Sequence, residues 1–479
     1  MKNVFIISCF LATSVAVSNC ATNPVTGKSQ LVLMSEEQEI QMGKEADPQI
    51  IQQFGLYEGQ GLQNYVNQIG QQLAKVSHRP NITYTFRVIN SEVLNAFAVP
   101  GGYVYFTRGI MAYLNDEAQF AGVLGHEIGH VAARHTVSQQ TKATLAQVGL
   151  LAGMVISPAI AQFGQAASQG LQLLMLKYGR DAERQADELG VEYSTKLGYD
   201  AHHMADFFHT LQRQSQSSGQ EELPTFLSTH PDPGDRYNTV QKLATEWLQK
   251  NGVTNPKVNR EGYLRQIEGL IYGEDPKEGY FEAGTFYHPV LKFQLTPPSG
   301  WAYANSPTQV QFASRDGNAL MALTMAQGSN AQQAASSFAQ QNQVQVTRSG
   351  ATTINGLNAF ALEGSVATQQ GSLALLSFFV EYGGAVYQLY GITATANYGS
   401  YGNLLASSMQ SFRPLTDPSK LNKQAERIHI RSVAAAGTVD QALRSLGVSS
   451  SRLAEHALLN GVQLTDRVAA GTLLKVIGL

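Results

Sequence analysis

Between Glu117 and Val131, apolar residues recur at Phe120, Val123, Leu124, Ile128 and Val131, the spacing of one helix face. Asn115-Asp116-Glu117 supplies helix-starting side chains in front of them, so the pattern predicts a mostly buried helix. Upstream the period falls to two. Tyr84, Phe86 and Val88 alternate with Thr85 and Arg87, a strand over 84–89. Asn95–Val99 and Tyr103–Phe106 are further β-rich runs, joined by the turn signal Pro100-Gly101-Gly102. Downstream, Leu145, Val148, Leu150, Leu151, Met154, Val155 and Ile156 form an apolar stretch, interrupted by Pro158 and recurring glutamines. A membrane-spanning helix needs about 20 uninterrupted apolar residues. Residues 142–176 therefore predict a pair of helices, either a mobile or membrane-facing cover or an ordinary packed hairpin. A further helix through Val240, Leu243, Trp247 and Leu248 ends at Asn251-Gly252.

Near Tyr287 the pattern changes again. Short β-rich runs at 291–295, 310–313, 319–325, 359–364, 373–382 and 385–392 alternate with helical runs at 331–340 and 398–411, which predicts an antiparallel sheet with helices. Residues 428–479 read strand, helix, helix, strand. The predicted fold class is α+β. A mainly helical domain with a small β-sheet spans 21–252, and a linker with one short helix spans 253–284. An α+β accessory domain spans 285–416 and a small βααβ module spans 428–479. The accessory domain carries no ligand cluster and no nucleophile constellation.

At 479 residues, 43% hydrophobic and 14% charged, the composition is that of a globular protein with more than one domain. A net charge of −3 without a basic run argues against nucleic-acid binding. Residues 1–20 stand apart. A short positive start, Met1-Lys2-Asn3, precedes apolar Val4–Val17, a length that suits a signal peptide and is short for a membrane span. Both cysteines, Cys9 and Cys20, lie here, so no internal disulfide is expected. Cys20 stands where a bacterial lipoprotein carries its lipidated first residue. Asn19 departs from the usual small residue before it, which leaves plain secretion as the alternative. A lipid on Cys20 would tether the domain without a spanning helix, and no Asp follows to retain it at the inner membrane.

The chemistry concentrates in His126-Glu127-Ile128-Gly129-His130. Positions i and i+4 share a helix face, so His126 and His130 can grip one metal ion. Glu127, about 100° round the helix, can reach a water beside it. Two imidazole ligands and a general base are parts of a zinc peptidase. The alternative is a surface His pair, which the buried pattern disfavours because buried imidazoles need a partner. A third ligand is required. His135, five residues past His130, falls off the ligand face. Glu183 is the better candidate, with Asp187 one turn later on a second predicted helix. Asp187 would accept the outer N–H of a ligand His and fix its tautomer. Alone, this charged run would read as a solvated helix face. Beside the first motif it completes a site for one zinc per chain.

These residues resemble the HtpX-related gluzincin peptidases and, among them, the BepA-like (YfgC-like) periplasmic zinc metallopeptidases. The resemblance is carried by residues 20–27, 95–109, 126–135 and 183–187, four motifs in order over roughly residues 20–250. It implies a zinc-dependent endopeptidase with Glu127 as base and His126, His130 and Glu183 as ligands. It suggests that Asn95, Ala96, Phe97 and Ala98 form a strand that pairs with extended substrate through backbone hydrogen bonds; an ordinary core hairpin is the other reading. Thr229-His230-Pro231 is similar to a family segment whose His can take the open zinc position and hold the enzyme shut, which maps onto His230. Arg236 is then a cation able to stabilise the oxyanion of the tetrahedral intermediate; a helix-capping loop is the alternative. Residues 428–479 look weakly like a LysM module without the usual acidic residue before Thr438, so a structural cap and a peptidoglycan tether both stay open.

The implied function is cleavage of misfolded or stalled envelope proteins in the periplasm of a Gram-negative bacterium, at the outer membrane and within reach of its assembly machinery. A chaperone or assembly factor with a largely silent zincin fold, and a peptidoglycan-associated binding protein, are the alternatives.

Overall fold

The computed structural model describes residues 20–32, 34–139, 178–217, 225–230, 233–368 and 371–479. The expected signal segment up to Asn19, the helix pair at 142–176, Pro231 and Asp232 lie outside the described residues.

A hairpin of β1 (Cys20–Thr22) and β2 (Ser29–Leu31) precedes two helices absent from the sequence reading, α1 (Glu36–Phe54) and α2 (Gln60–Val76). Next come β3 (Thr85–Ile89), β4 (Ala96–Val99) and β5 (Tyr103–Thr107), in sheet order β3–β5–β4. β3 is parallel and β4 antiparallel to β5. α3 (Arg108–Tyr113) leads into α4 (Glu117–Ala132), whose residues are all buried. Asp116 starts α4 by accepting the Gln119 N–H at 2.8 Å.

Across α4 lies α5 (Arg180–Lys196). The two approach closely because glycine meets glycine. A Cβ on Gly125 would stand 3.1 Å from Gly190 Cα, and one on Gly190 would stand 3.0 Å from the His126 nitrogen. That closeness lets side chains one and two turns earlier on α5 reach His126. α6 (His202–Ser217), α7 (Thr225–Thr229) and α8 (Pro233–Lys250) complete the helical part.

The stretch expected as a linker is packed. It contains α9 (Arg260–Gln266), and Tyr263, Leu264, Ile267 and Leu270 share a core with Phe120 and Ile128. β6 (Tyr280–Glu282), β7 (Thr285–His288) and β8 (Phe293–Leu295) form a small sheet. A seven-stranded antiparallel sheet follows: β9 (Ala302–Ser306), β10 (Gln309–Ala313), β11 (Ala319–Ala326), β12 (Gln345–Ile354), β13 (Leu357–Thr368), β14 (Gly371–Tyr382) and β15 (Ala385–Ala394). Its order is β12–β13–β14–β15–β11–β10–β9. α10 (Ala331–Gln341) packs on one face. α11 (Tyr398–Met409) and the small sheet, which β16 (Arg413–Pro414) joins at β8, pack on the other.

After α12 (Pro418–Leu421) comes a unit of β17 (Arg427–Ser432), β18 (Gly437–Thr438), α13 (Val439–Ser445), α14 (Leu453–Leu459), β19 (Arg467–Val468) and β20 (Leu473–Gly478). β17 pairs antiparallel with β20. The unit docks onto the helical part, because Ile428, Leu458, Leu459 and Ile477 join its core. Lys475, wholly buried, donates to the carbonyls of Ala112 at 2.6 Å and Leu114 at 2.9 Å, at the end of α3. The fold class is α+β, as the pattern predicts. No helix among the described residues is long and apolar enough to cross a membrane.

Candidate metal centre

His126 and His130 sit one turn apart on α4, with their Nε2 atoms 3.0 Å apart. From α5, Glu183 comes within 3.6 Å of His126 Nε2 and 3.5 Å of His130 Nε2. His230 Nδ1 stands 3.2 Å from His126 Nε2 and 3.1 Å from each Glu183 oxygen. One donor atom from each of these four buried residues lies within 4.8 Å of the others. Glu127 is beside them, fully buried, with no hydrogen bond to either oxygen among the described residues. Its Oε1 is 3.7 Å from His230 Nε2, which also lacks a hydrogen bond.

Buried polar groups are normally hydrogen-bonded, and here unbonded ones converge. His126 Nδ1 lies 2.9 Å from Asp187 Oδ1. A carboxylate only accepts, so Nδ1 carries the proton and Nε2 presents a lone pair. His130 Nδ1 lies 3.0 Å from His135 Nδ1, and His135 Nε2 lies 2.9 Å from Gln185 Oε1. With the amide oxygen accepting, His135 Nε2 is protonated and its Nδ1 accepts, so His130 Nδ1 donates. His130 Nε2 is then a second lone pair facing the first.

A cation between them removes that repulsion, and two imidazoles with one carboxylate and a further position suit zinc. Burial holds His130 well below the usual imidazole range, in its neutral donor form. Burial raises the Glu127 carboxyl. It would also raise Glu183, but His230, His126 and Arg236 outweigh it and leave Glu183 lowered.

His135, excluded as a ligand by its spacing, stands behind His130 as Asp187 stands behind His126. Sequence spacing gave no sign of Gln185. Arg236 is engaged with carboxylates of the cluster. Its Nε and Nη2 fork onto Asp187 at 2.8 and 2.6 Å, and Nη1 reaches the His230 carbonyl at 3.2 Å and Glu183 at 3.3 Å. The guanidinium also lies over the Phe208 ring at 4.1 Å. In this arrangement Arg236 holds the carboxylates of Asp187 and Glu183.

Asn95 lies buried just before β4, and Ala96, Phe97 and Ala98 lie buried along it, the outer strand beside α4. Carbonyls near both ends of this stretch are occupied. Leu94 accepts the Phe226 N–H at 3.0 Å, and Ala98 accepts from Thr136 Oγ1 at 3.4 Å. Phe226 belongs to α7, its ring stacks on His230 at 4.5 Å, and its carbonyl accepts the His230 N–H at 2.8 Å. One short segment thus fills both the fourth donor position and the end of the strand.

A second buried charged network, also missed by the sequence reading, holds the last turn of α4. Glu39 receives Arg79 Nη1 and Arg134 Nε, each at 2.9 Å. Arg79 Nη1 also donates to the Val131 carbonyl at 3.1 Å, and Asn23 Nδ2 donates to that of Ala133 at 3.2 Å.

Two His on one helix, with a Glu between them and a carboxylate brought in by a crossing helix, form a buried group that could hold a metal ion. Residues 61–244 match the profile described as Peptidase family M48. Through that region the chain is similar to Peptidase family M48. The beta-barrel assembly-enhancing protease of Escherichia coli (strain K12) is 31% identical over 233 residues, 47% of each chain. The mitochondrial metalloendopeptidase OMA1 of Homo sapiens is 26% identical over 251 residues, 49% of this chain and 47% of that one. The chain spans about half the length of the curated relatives it matches. Among solved structures, cyanobacterial PsbP from Synechocystis sp. PCC 6803 overlaps 27% of this chain and 91% of its own, at 14% identity and a TM-score of 0.23.

Proposed function

We propose that this chain is a zinc-dependent endopeptidase of the bacterial envelope, cleaving misfolded or stalled periplasmic and outer-membrane proteins, with His230 holding the resting site shut. The observation that carries this reading is the convergence of His126, His130 and Glu183 beside a Glu127 with no hydrogen bond among the described residues. These three would hold one zinc, with Asp187 and His135 orienting the two imidazoles from behind. Bound zinc supplies Lewis acidity to the scissile carbonyl and the attacking water. Glu127 takes the proton of that water and passes it to the leaving amine. Its burial-raised proton affinity suits a group that must hold a proton between two transfers. Arg236 keeps Asp187 and Glu183 in place. β4 would align extended substrate once α7 withdraws, adding backbone hydrogen bonds with little sequence preference.

The envelope setting is supported by the name of the Escherichia coli relative. The signal-like start and Cys20 support a periplasmic protein tethered at the outer membrane. Glu127→Gln should keep fold and zinc while casein cleavage falls by about 10² to 10⁴-fold. Undiminished digestion of casein by that variant sinks the mechanism.

His230 among the ligands also favours a second reading, an assembly factor that binds clients and cuts little. Higher casein cleavage by His230→Ala than by wild type supports the gated peptidase. No cleavage by either, with client binding retained, supports the binding protein. The docked Lys475 favours residues 428–479 as a structural cap over a peptidoglycan tether. Retention of the chain on isolated sacculi would reverse that preference.

A further inference from the structure

Most sheet edges in this molecule are closed or very short. The outer side of β3 is covered by the chain before α2, where the Tyr57 N–H donates to Val88 at 2.9 Å and Gln63 binds both Val88 backbone groups. The end of β4 is taken by Phe226. β6 and β16 have only three and two residues. In the seven-stranded sheet, segment 274–279 lies against β9, where Asn305 Nδ2 donates to the Glu278 carbonyl at 2.8 Å and Tyr303 bonds Glu274. β12, at the opposite edge, has ten residues, and all from Gln345 to Thr353 are exposed except half-buried Gly350.

The turn at the end of β12 fixes which backbone groups point outward. Ile354 and Leu357 flank the two-residue turn Asn355-Gly356, with φ of +46° and +80°, as a type I′ hairpin requires. Ile354 and Leu357 are therefore a hydrogen-bonded pair. The register is unbroken back to Arg348, so bonded and non-bonded pairs alternate along it. Thr353, Ala351 and Ser349 fall in the non-bonded positions. Their three N–H and three C=O groups point away from β13 and take no partner among the described residues.

Native edges are usually blunted by Lys, Pro, inward charges or bulges. From Ser349 to Thr353 this edge has none of these. A register shift between Val346 and Arg348 ends the regular stretch, and Arg348 is neutralised by Glu363.

We propose that the outer edge of β12 docks an extended polypeptide segment of about five residues as an added strand. Alternating donors and acceptors at a two-residue period are matched by an extended backbone. The small, uncharged side chains Ser349, Gly350, Ala351, Thr352 and Thr353 impose little selection on its sequence. The proposal rests on the reading above only for the source of the segment, an unfolded client chain.

The geometry supplies a clean variant. Ala351→Pro removes an outward N–H and leaves the β13 ladder intact, a placement that edge strands tolerate. Fluorescently labelled casein, titrated against Glu127→Gln full-length protein by anisotropy, should bind about tenfold more weakly once Ala351→Pro is added. With Glu127 intact, Ala351→Pro should raise KM for casein and leave cleavage of a short quenched peptide unchanged. Ser349→Pro should repeat the effect, which covers the case in which Ala351→Pro misfolds. Equal casein binding with and without folded proline variants overturns the proposal. So does a concentration-dependent dimer of the wild type that the variants abolish, because the occupant would then be a second copy. If Glu127→Gln still cleaves but the proline variants still weaken binding, the peptidase reading falls and the docking edge stands.

Discussion

Two groups of buried charge lie against the same helix and are built on opposite principles. Near the last turn of α4, both Glu39 oxygens receive a guanidinium N–H, and Arg79 also satisfies the carbonyl of Val131. Around His126, lone pairs face one another and Glu127 has no hydrogen bond among the described residues. The first network meets its desolvation cost within the fold. The second has no such internal compensation at Glu127 among the described residues. Burial of charge alone therefore does not mark a site; unmet, convergent donors do.

The most direct way to break this contrast is one isosteric change on each side of α4. Glu39→Gln should cost about 3–5 kcal/mol in urea unfolding, because two buried guanidiniums lose their shared counter-charge. Glu127→Gln should leave the zinc-free chain at least as stable as wild type, since it removes a buried charge that has no hydrogen bond among the described residues. A larger stability loss at Glu127 than at Glu39 would refute the distinction.

A smaller effect sharpens the zinc-side network. His126→Ala, His130→Ala and Glu183→Ala should each abolish stoichiometric zinc in purified protein. His135→Leu and Asp187→Ala should weaken zinc by about 10 to 100-fold in competition with a chelator, because each removes the acceptor behind one imidazole. Zinc binding by His135→Leu at wild-type strength would leave His130 without the orientation argued for it. Below that, Lys475→Met should cost about 1–3 kcal/mol, since it strips the buried carbonyls of Ala112 and Leu114 of their donor.

The residues read ahead were those whose spacing is fixed by chemistry. His126, Glu127, His130, Glu183 and Asp187 keep one-turn intervals that any helix preserves, and β11, β14 and β15 show apolar runs because they are buried. α1 was invisible for a physical reason. Its inward face holds Glu39 and Asp47, paired with Arg79 and with Arg87, and Pro48 interrupts it, so no apolar period survives. β9 and β12 bury no face and show no alternation. The partnership of His135 with Gln185 and the fork of Arg236 onto Asp187 depend on how α4, α5 and α8 meet, which no local spacing encodes.

The smallest expected effect tests a group between these extremes. At the start of α4, one Asp116 oxygen caps the helix and the other lies 2.7 Å from His203 Nδ1. That hydrogen bond, with further attraction from Asp116, Asp200 and Asp206, raises His203 above its ordinary value of 6.5 in spite of burial. A raised imidazole stabilises the fold fully below the unfolded value, and the gain fades as pH climbs through the folded value. Wild type should therefore exceed His203→Gln by up to about 1 kcal/mol near pH 5.5, discounted for partial exposure, and the margin should shrink towards pH 9. Paired urea titrations across that range measure it. A margin that is flat or grows with pH would mean that His203 gives Asp116 no proton, leaving the cap, about 1 kcal/mol on Asp116→Ala, to hold this end of α4 without it.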